Sequence, residues 1–452
     1  MNMKNHTLAR ILGAALVSAG AFASTASAQD LIHKAPPQSK PIVIEHATIY
    51  TVSGKIIHNG SVVFDKGVIT QVLGDGQRAK VRGDVERIDA AGKFVYPGFI
   101  SAVTGLGLVE IQSVRATVDS SEVGDIKPEV RGAVAVNPDS TLFPVARTNG
   151  VLTAGVFPSG GLIPGRASIM RLDGWTWEDM TVLDDAGVII NWPRVRLFTS
   201  RFRAATNAKE QRRQSTKRIE LIADTFDAAR AYFASKDVDS EIPTDERFEA
   251  LRGAIAGDSP VFIFANEYEQ IVSGLSWALD EGLKPILVGG RDALLAVDLL
   301  KDNDVPVIVS GTQRLPGRRD ANYDEAYQQP IELEAAGIRW CMSTGGGSFG
   351  ASNERNLPYH AAASVAYGLS KATALRSVTL SAAEILGIDD TLGSIEKGKA
   401  ATLVIANGPP LELTTNPVAA FINGRRIDLR NKQTELRDKY LDKYRQLGLI
   451  DN

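Results

Sequence analysis

Residues 90–101 read "AAGKFVYPGFIS" and continue as "AVTGLGL" to Leu108. Two textures meet here. Upstream, residues 41–76, "PIVIEHATIYTVSGKIIHNGSVVFDKGVITQVLGDG", alternate apolar and polar side chains between Ser-Gly, Asn-Gly and Lys-Gly turns, the pattern of short antiparallel strands. Downstream, short runs rich in β-branched residues alternate with helical stretches. The runs are "GVLTAGVFP" (150–158), "SPVFIFANE" (259–267), "KPILVGG" (284–290), "VPVIVSG" (305–311) and "GIRWCMST" (337–344). Such runs are fully buried parallel strands. Between the later ones lie "YEQIVSGLSWALDEG", "RDALLAVDLLKDN" and "DEAYQQPIELEAAG", which read as helices.

The strand–helix order predicts an α/β fold whose main body is a (β/α)8 TIM-type barrel. An open doubly wound sheet fits less well, since no phosphate-cradling glycine fingerprint follows the first strand. Near the C-terminus, "GSIEKGKAATLVIANG" (393–408) and "AAFINGRRIDL" (419–429) return to the antiparallel texture. Neither terminal block closes a core alone, so the expectation is one small composite β-sandwich built from both chain ends. The boundaries read 29–96 for its first half, 97–390 for the barrel, 391–430 for its second half and 431–452 for a charged C-terminal helix. In that helix Leu436, Tyr440 and Tyr444 share a stripe suited to docking.

Residues 1–28 are of different material. Lys4 and Arg10 precede an apolar run, Ile11 to Ala23, and Ala26-Ser27-Ala28 offers small residues for cleavage before Gln29. This is the order of a signal peptide, and the run is short of the ~20 apolar residues that span a membrane. Export to the periplasm or the medium is expected, with no membrane insertion after cleavage. The 50 basic and 53 acidic residues nearly cancel, so no global field gathers nucleic acid. The basic stretch from Arg194 to Arg218 lies in a chain that is not basic overall and reads as a solvated helix face. A single cysteine, Cys341, excludes an internal disulfide and sits among Ile338, Trp340 and Met342 as a core thiol.

The order of half-sandwich, "YPGFIS", barrel, "AAEILGIDDTLGSIEKGKAATLVIANGPPLE" and return strand resembles the amidohydrolase superfamily from about Pro41 to Tyr444. The segments "NGVLTAGVFPSGG", "LDGWTWEDM" and "ERNLPYHAAASVAYGL" are similar to its secreted imidazolonepropionase-like branch. The resemblance implies hydrolysis of carbon–nitrogen bonds other than peptide bonds. It also implies a divalent metal held by a His-x-His pair on strand 1, histidines on strands 5 and 6 and an aspartate ending strand 8. Such ligands bind a Lewis acid that turns bound water into hydroxide near neutral pH.

Aligned on Pro-Gly-Phe-Ile, those positions fall on Val103 and Gly105, on Phe264, on the glycines after Val288 and on Thr344. Of the five histidines, His6 and His33 precede the fold and His46 and His58 fall in the sandwich, which leaves His360 for the barrel. No metal held by imidazole ligands and no other cofactor is therefore expected, and carboxylate-only coordination of a hard ion such as Mg or Ca stays open. Polar residues at predicted strand ends are Thr104, Asn266, Glu267, Thr312, Gln313, Thr344, Asn353, Arg355 and His360. Glu267 and His360 are the candidate acid/base pair, and Asn266, Thr344, Asn353 and Arg355 the candidate substrate contacts, Arg355 for a carboxylate. The structural alternative is that Glu267 caps the next helix while His360 and Arg355 brace the mouth. Gly345 to Gly347 give the loop after strand 8 the freedom of a lid or of a plain turn. Three functions stay open: a metal-independent enzyme acting on a small-molecule substrate, a conventional metallohydrolase with displaced ligands, and a pseudoenzyme. The last would bind a small ligand, form a homo-oligomer or pair with a related amidohydrolase.

Overall fold

The computed structural model describes residues 33–195 and 207–451. The expected signal peptide, and Arg196, Arg201 and Arg203 of the basic stretch, lie outside the described residues. No helix among the described residues is long and apolar enough to cross a membrane.

The first five strands are β1 (Ile42–Ile49), β2 (Ile57–Asp65), β3 (Val68–Leu73), β4 (Glu86–Asp89) and β5 (Phe94–Pro97). A two-residue turn joins β2 to β3. Lys66 and Gly67 both have positive φ there, at 49° and 82°, so the turn twists with its strands. The last three strands, β14 (Leu403–Ala406), β15 (Pro417–Ile422) and β16 (Arg425–Arg426), come from the far end of the chain. β14 pairs antiparallel with β5, Val404 opposite Tyr96. Both chain ends therefore share one layer, but as a single eight-stranded sheet in the order β16-β15-β14-β5-β1-β2-β3, with β4 beside β1. The expected two-sheet sandwich is replaced by a sheet that curls. Phe64 on β2 and Phe421 on β15 lie far apart in strand order, yet their rings meet edge-on at 5.1 Å over a shared core.

The other sheet is the barrel wall, ordered β6 to β13. Its strands are β6 (Phe99–Thr104), β7 (Val151–Val156), β8 (Gly165–Arg171), β9 (Thr181–Asn191), β10 (Val261–Ala265), β11 (Pro285–Gly289), β12 (Val307–Ser310) and β13 (Trp340–Ser343). Neighbours run parallel except β8, which is antiparallel to both β7 and β9. This departs from a plain (β/α)8 barrel for a steric reason. A parallel crossover needs a dozen or more residues, and the chain between Val156 and Gly165 is too short to supply them. From β9 onward the wall is parallel, with helices in the connections.

Side chains alternate across the wall. Ile100, Ile189, Phe262, Ile286, Ile308 and Cys341 point into the lumen, while Val261, Ile263, Leu287, Val307 and Met342 pack in the layer outside. The Cys341 thiol is fully buried, and burial pushes its pKa up. The helix Ala208–Val238 starts at the Asn207 cap and buries Ile222, Phe226 and Ala229, with Arg212, Arg213, Lys217 and Arg218 exposed. The helix Lys432–Gln446 buries no residue, so Leu436, Tyr440 and Tyr444 do not dock on this chain.

Sheet and barrel are joined by an ionic cluster. Asp173, 2% exposed, lies between Arg147 and Arg425 at 3.0 Å from each guanidinium. Arg425 of β16 also reaches the carbonyls of Asp173 and Ala35.

Candidate functional site

In this architecture ligands gather at the C-terminal ends of the barrel strands. At the end of β10, Glu267 opens the helix Tyr268–Asp280 without a side-chain cap hydrogen bond. Its carboxylate instead faces Arg194, beyond β9, at 3.5 Å. The expected capping role is not found. Asn266 lies beside it over the end of β11, where Gly289 has φ +97°. The Asn266 amide sits 2.7 Å from the point a Gly289 Cβ would occupy, so this glycine makes room for a polar side chain.

His360 belongs to the helix Leu357–Ala366 and is 8% exposed. Its Nδ1 accepts the backbone N–H of Thr312 at 3.0 Å and of Gln313 at 3.3 Å, while the Thr312 hydroxyl donates to the His360 carbonyl. Two amide donors on Nδ1 fix the neutral tautomer with the proton on Nε2, and burial lowers the pKa to about 4. His360 thus braces the loop after β12, and Glu267 and His360 have separate partners rather than each other.

The polar loop after β13 differs most from the sequence expectation. Thr344, expected to contact substrate, donates its hydroxyl to Glu354. Arg355, expected to hold a carboxylate at the mouth, has an exposed side chain, and its carbonyl is gripped by Asn149, the residue before Gly150 that leads into β7. That places it on the outer flank of β6 and β7. Asn353 is exposed, with its backbone tied to Gly350 and Asn356. Gly345 and Gly346, at φ +107° and +69°, turn the chain; a Cβ on Gly346 would strike Val103.

Glu354, between two residues read as mouth-facing, is the group that sequence reasoning missed. It is 1% exposed. Ser101 of β6 donates to its Oε2 at 2.6 Å, Thr344 to its Oε1, and Thr104 adds a third hydroxyl contact. With no cation among these partners, burial outweighs the hydroxyls and raises the pKa to about 7.

The positions at which the resemblance implies a metal hold other chemistry. Phe264 and Phe262 both pack edge-on against Phe157 in the upper lumen, with ring centroids at 6.0 and 4.9 Å. Among the described residues, no three His, Cys, Asp or Glu side chains are grouped to share a cation. Residues 196–206, outside the described set, read RLFTSRFRAAT and contain none of these four types. A cavity of about 550 Å³ lies at the opposite end of the barrel, against Pro260, Pro285 and Pro306, away from the C-terminal strand ends where barrel chemistry is built.

The amidohydrolase tasK of Hapsidospora irregularis is 23% identical over 404 residues, covering 81% of this chain and 39% of tasK. The chain thus spans about two-fifths of that relative. Among solved structures, an amidohydrolase from Thermotoga maritima MSB8 superposes with a TM-score of 0.76 at 21% identity, over 86% of this chain and all of the other. An adenosine deaminase from Xanthomonas campestris with bound zinc gives 0.51 at 17% identity, over 91% and 100%. The chain therefore carries, over residues 325–428, a match to the Amidohydrolase family, on a barrel fold that it shares with solved amidohydrolases.

Proposed function

We propose that this protein is an exported, imidazolonepropionase-like amidohydrolase homologue that does not run metal-hydroxide hydrolysis itself. The activity that the resemblance implies, and that we propose is lost here, is cleavage of carbon–nitrogen bonds other than peptide bonds. This chain works as a pseudoenzyme that pairs with a metal-bearing relative. One observation carries the reading: hydrocarbon, glycine and hydroxyl groups stand at the positions aligned with the metal ligands. Phe264 packs on Phe157, Gly289 is covered by Asn266, and Thr344 is spent on Glu354. Imidazole or carboxylate donors are needed there, and rebuilding a lost ligand set requires several simultaneous changes. The residues present do not fit the metal, so no catalytic step is routed through one.

Two further features support pairing. The relative tasK is more than twice as long as the part matched here, so its corresponding region is joined to additional chain. The helix Lys432–Gln446 also carries Leu436, Tyr440 and Tyr444 outward. The competing reading, metal-independent hydrolysis by Glu267 and His360, is disfavoured by their separate commitments to Arg194 and to the Thr312 and Gln313 amides.

Metal content of the purified mature protein, with turnover of N-acyl amino acids, dipeptides and cyclic amides, tests the reading. Substoichiometric zinc, iron and manganese with no turnover is expected. One tightly held metal per chain, or turnover abolished by Glu267→Gln, overturns it.

A further inference from the structure

The strand order of the barrel wall ends at β13 on one side and β6 on the other, and no ladder of backbone pairs joins them among the described residues. Side chains close the gap. Ser343 at the end of β13 donates its hydroxyl to the Val103 carbonyl of β6 at 2.9 Å. Glu354 takes the Ser101 hydroxyl of β6 on Oε2 and the Thr344 hydroxyl, just past β13, on Oε1, with Thr104 of β6 a third hydroxyl partner. Ser101 lies on the same strand face as Phe99, which packs outside the lumen, so this carboxyl sits in the layer between wall and helices.

We propose that Glu354 is a proton-operated clasp on the barrel seam, closed when its carboxyl is neutral and weakened when the carboxyl ionises. The groups facing it from β6 and from the end of β13 are the hydroxyls of Ser101, Thr104 and Thr344, none of them charged. The helices packed on this loop offer no counter-charge. Arg147 of Leu142–Arg147 is committed to Asp173, Tyr359 bonds Asn149, and neutral His360 is held by the Thr312 and Gln313 amides. The neighbouring Arg355 is exposed. A buried anion in such surroundings has hydroxyl dipoles but no cation, so ionisation favours the open seam, where water solvates it.

The sign follows from linkage. The open state titrates near the ordinary carboxylate value of 4.5 and the closed state near 7. Opening therefore rises by up to about tenfold per pH unit between these values and levels off above the upper one. The seam is tight under mildly acidic conditions and relaxed near neutrality.

Amide hydrogen exchange tests this on the full chain, with each rate in β6 and β13 divided by the intrinsic exchange rate of the same amide at that pH. From pH 5 to 7 this corrected rate is expected to climb by at least about tenfold in the wild type. In Glu354→Gln, which keeps an amide of the same size but cannot ionise, the corrected rate is expected to stay flat. A flat corrected rate in the wild type overturns the proposal, whether or not the variant folds. So does an equal climb in Glu354→Gln.

Discussion

Two buried carboxyl groups, Asp173 and Glu354, occupy the two junctions that hold this molecule together, and they are buried by opposite means. Asp173 sits where the curled sheet meets the barrel and faces two guanidinium groups, Arg147 and Arg425. Glu354 sits where the barrel's first and last strands meet and faces three hydroxyls. The first junction is an ion cluster whose members depend on one another. The second tolerates a carboxyl because the group can take a proton. For Glu354, almost fully removed from water, it is the lack of a charged partner that raises its pKa.

The largest effect expected from breaking this comparison is at Asp173. Asp173→Ala strands the Arg147 guanidinium, 1% exposed, without its counter-charge. Removing one partner of such a buried pair costs about 3–5 kcal/mol. Denaturant unfolding is expected to show that loss, and Asp173→Asn a smaller one.

Next comes Glu354, where the effect is a slope. Its folded pKa lies above its unfolded one, so its stabilising contribution is complete below about 4.5 and is lost as pH rises towards about 7. Over that window Glu354 lowers stability by up to ~1.4 kcal/mol per pH unit. The difference in unfolding free energy between wild type and Glu354→Gln, followed from pH 4.5 to 7.5, is expected to move by that slope and then level off. A pH-independent difference would contradict this reading of Glu354.

Smaller effects belong to groups at neither junction. Asn431 caps the C-terminal helix through Thr434 and ties it to Thr148. Asn431→Ala is expected to lose about 1 kcal/mol of local helix stability, seen as faster amide exchange over 432–446 with little change in global unfolding. Least of all, Glu267→Gln breaks a partly exposed pair with Arg194 and is expected to change the unfolding free energy by less than about 1 kcal/mol.

Much of this fold was legible in the sequence because strands of a buried wall announce themselves. "VPVIVSG" and "KPILVGG" became β12 and β11, and the Pro-Gly step after Tyr96 marks the passage from β5 to β6. The reversed β8 was missed because its residues, like those of a parallel strand, are apolar and buried. The usable signal was the short link before it, which no crossover helix fits. The site was less legible. Asn353, Glu354 and Arg355 are consecutive polar residues in one loop, and nothing local separates the buried one from its exposed neighbours. Glu354 finds Ser101 at a separation of 253 residues, a contact that exists only once the barrel has closed. His360 was found as the barrel's histidine, but its link to the Thr312 and Gln313 amides depends on how the helix Leu357–Ala366 settles against β12.

The central claim, that this barrel is not a metal site, is tested most directly by metal analysis of the mature protein after incubation with zinc, iron or manganese and removal of excess ion. The account predicts substoichiometric metal and a melting temperature that neither zinc nor a chelator shifts. One equivalent of metal per chain, with a melting temperature that falls on chelation, would contradict it.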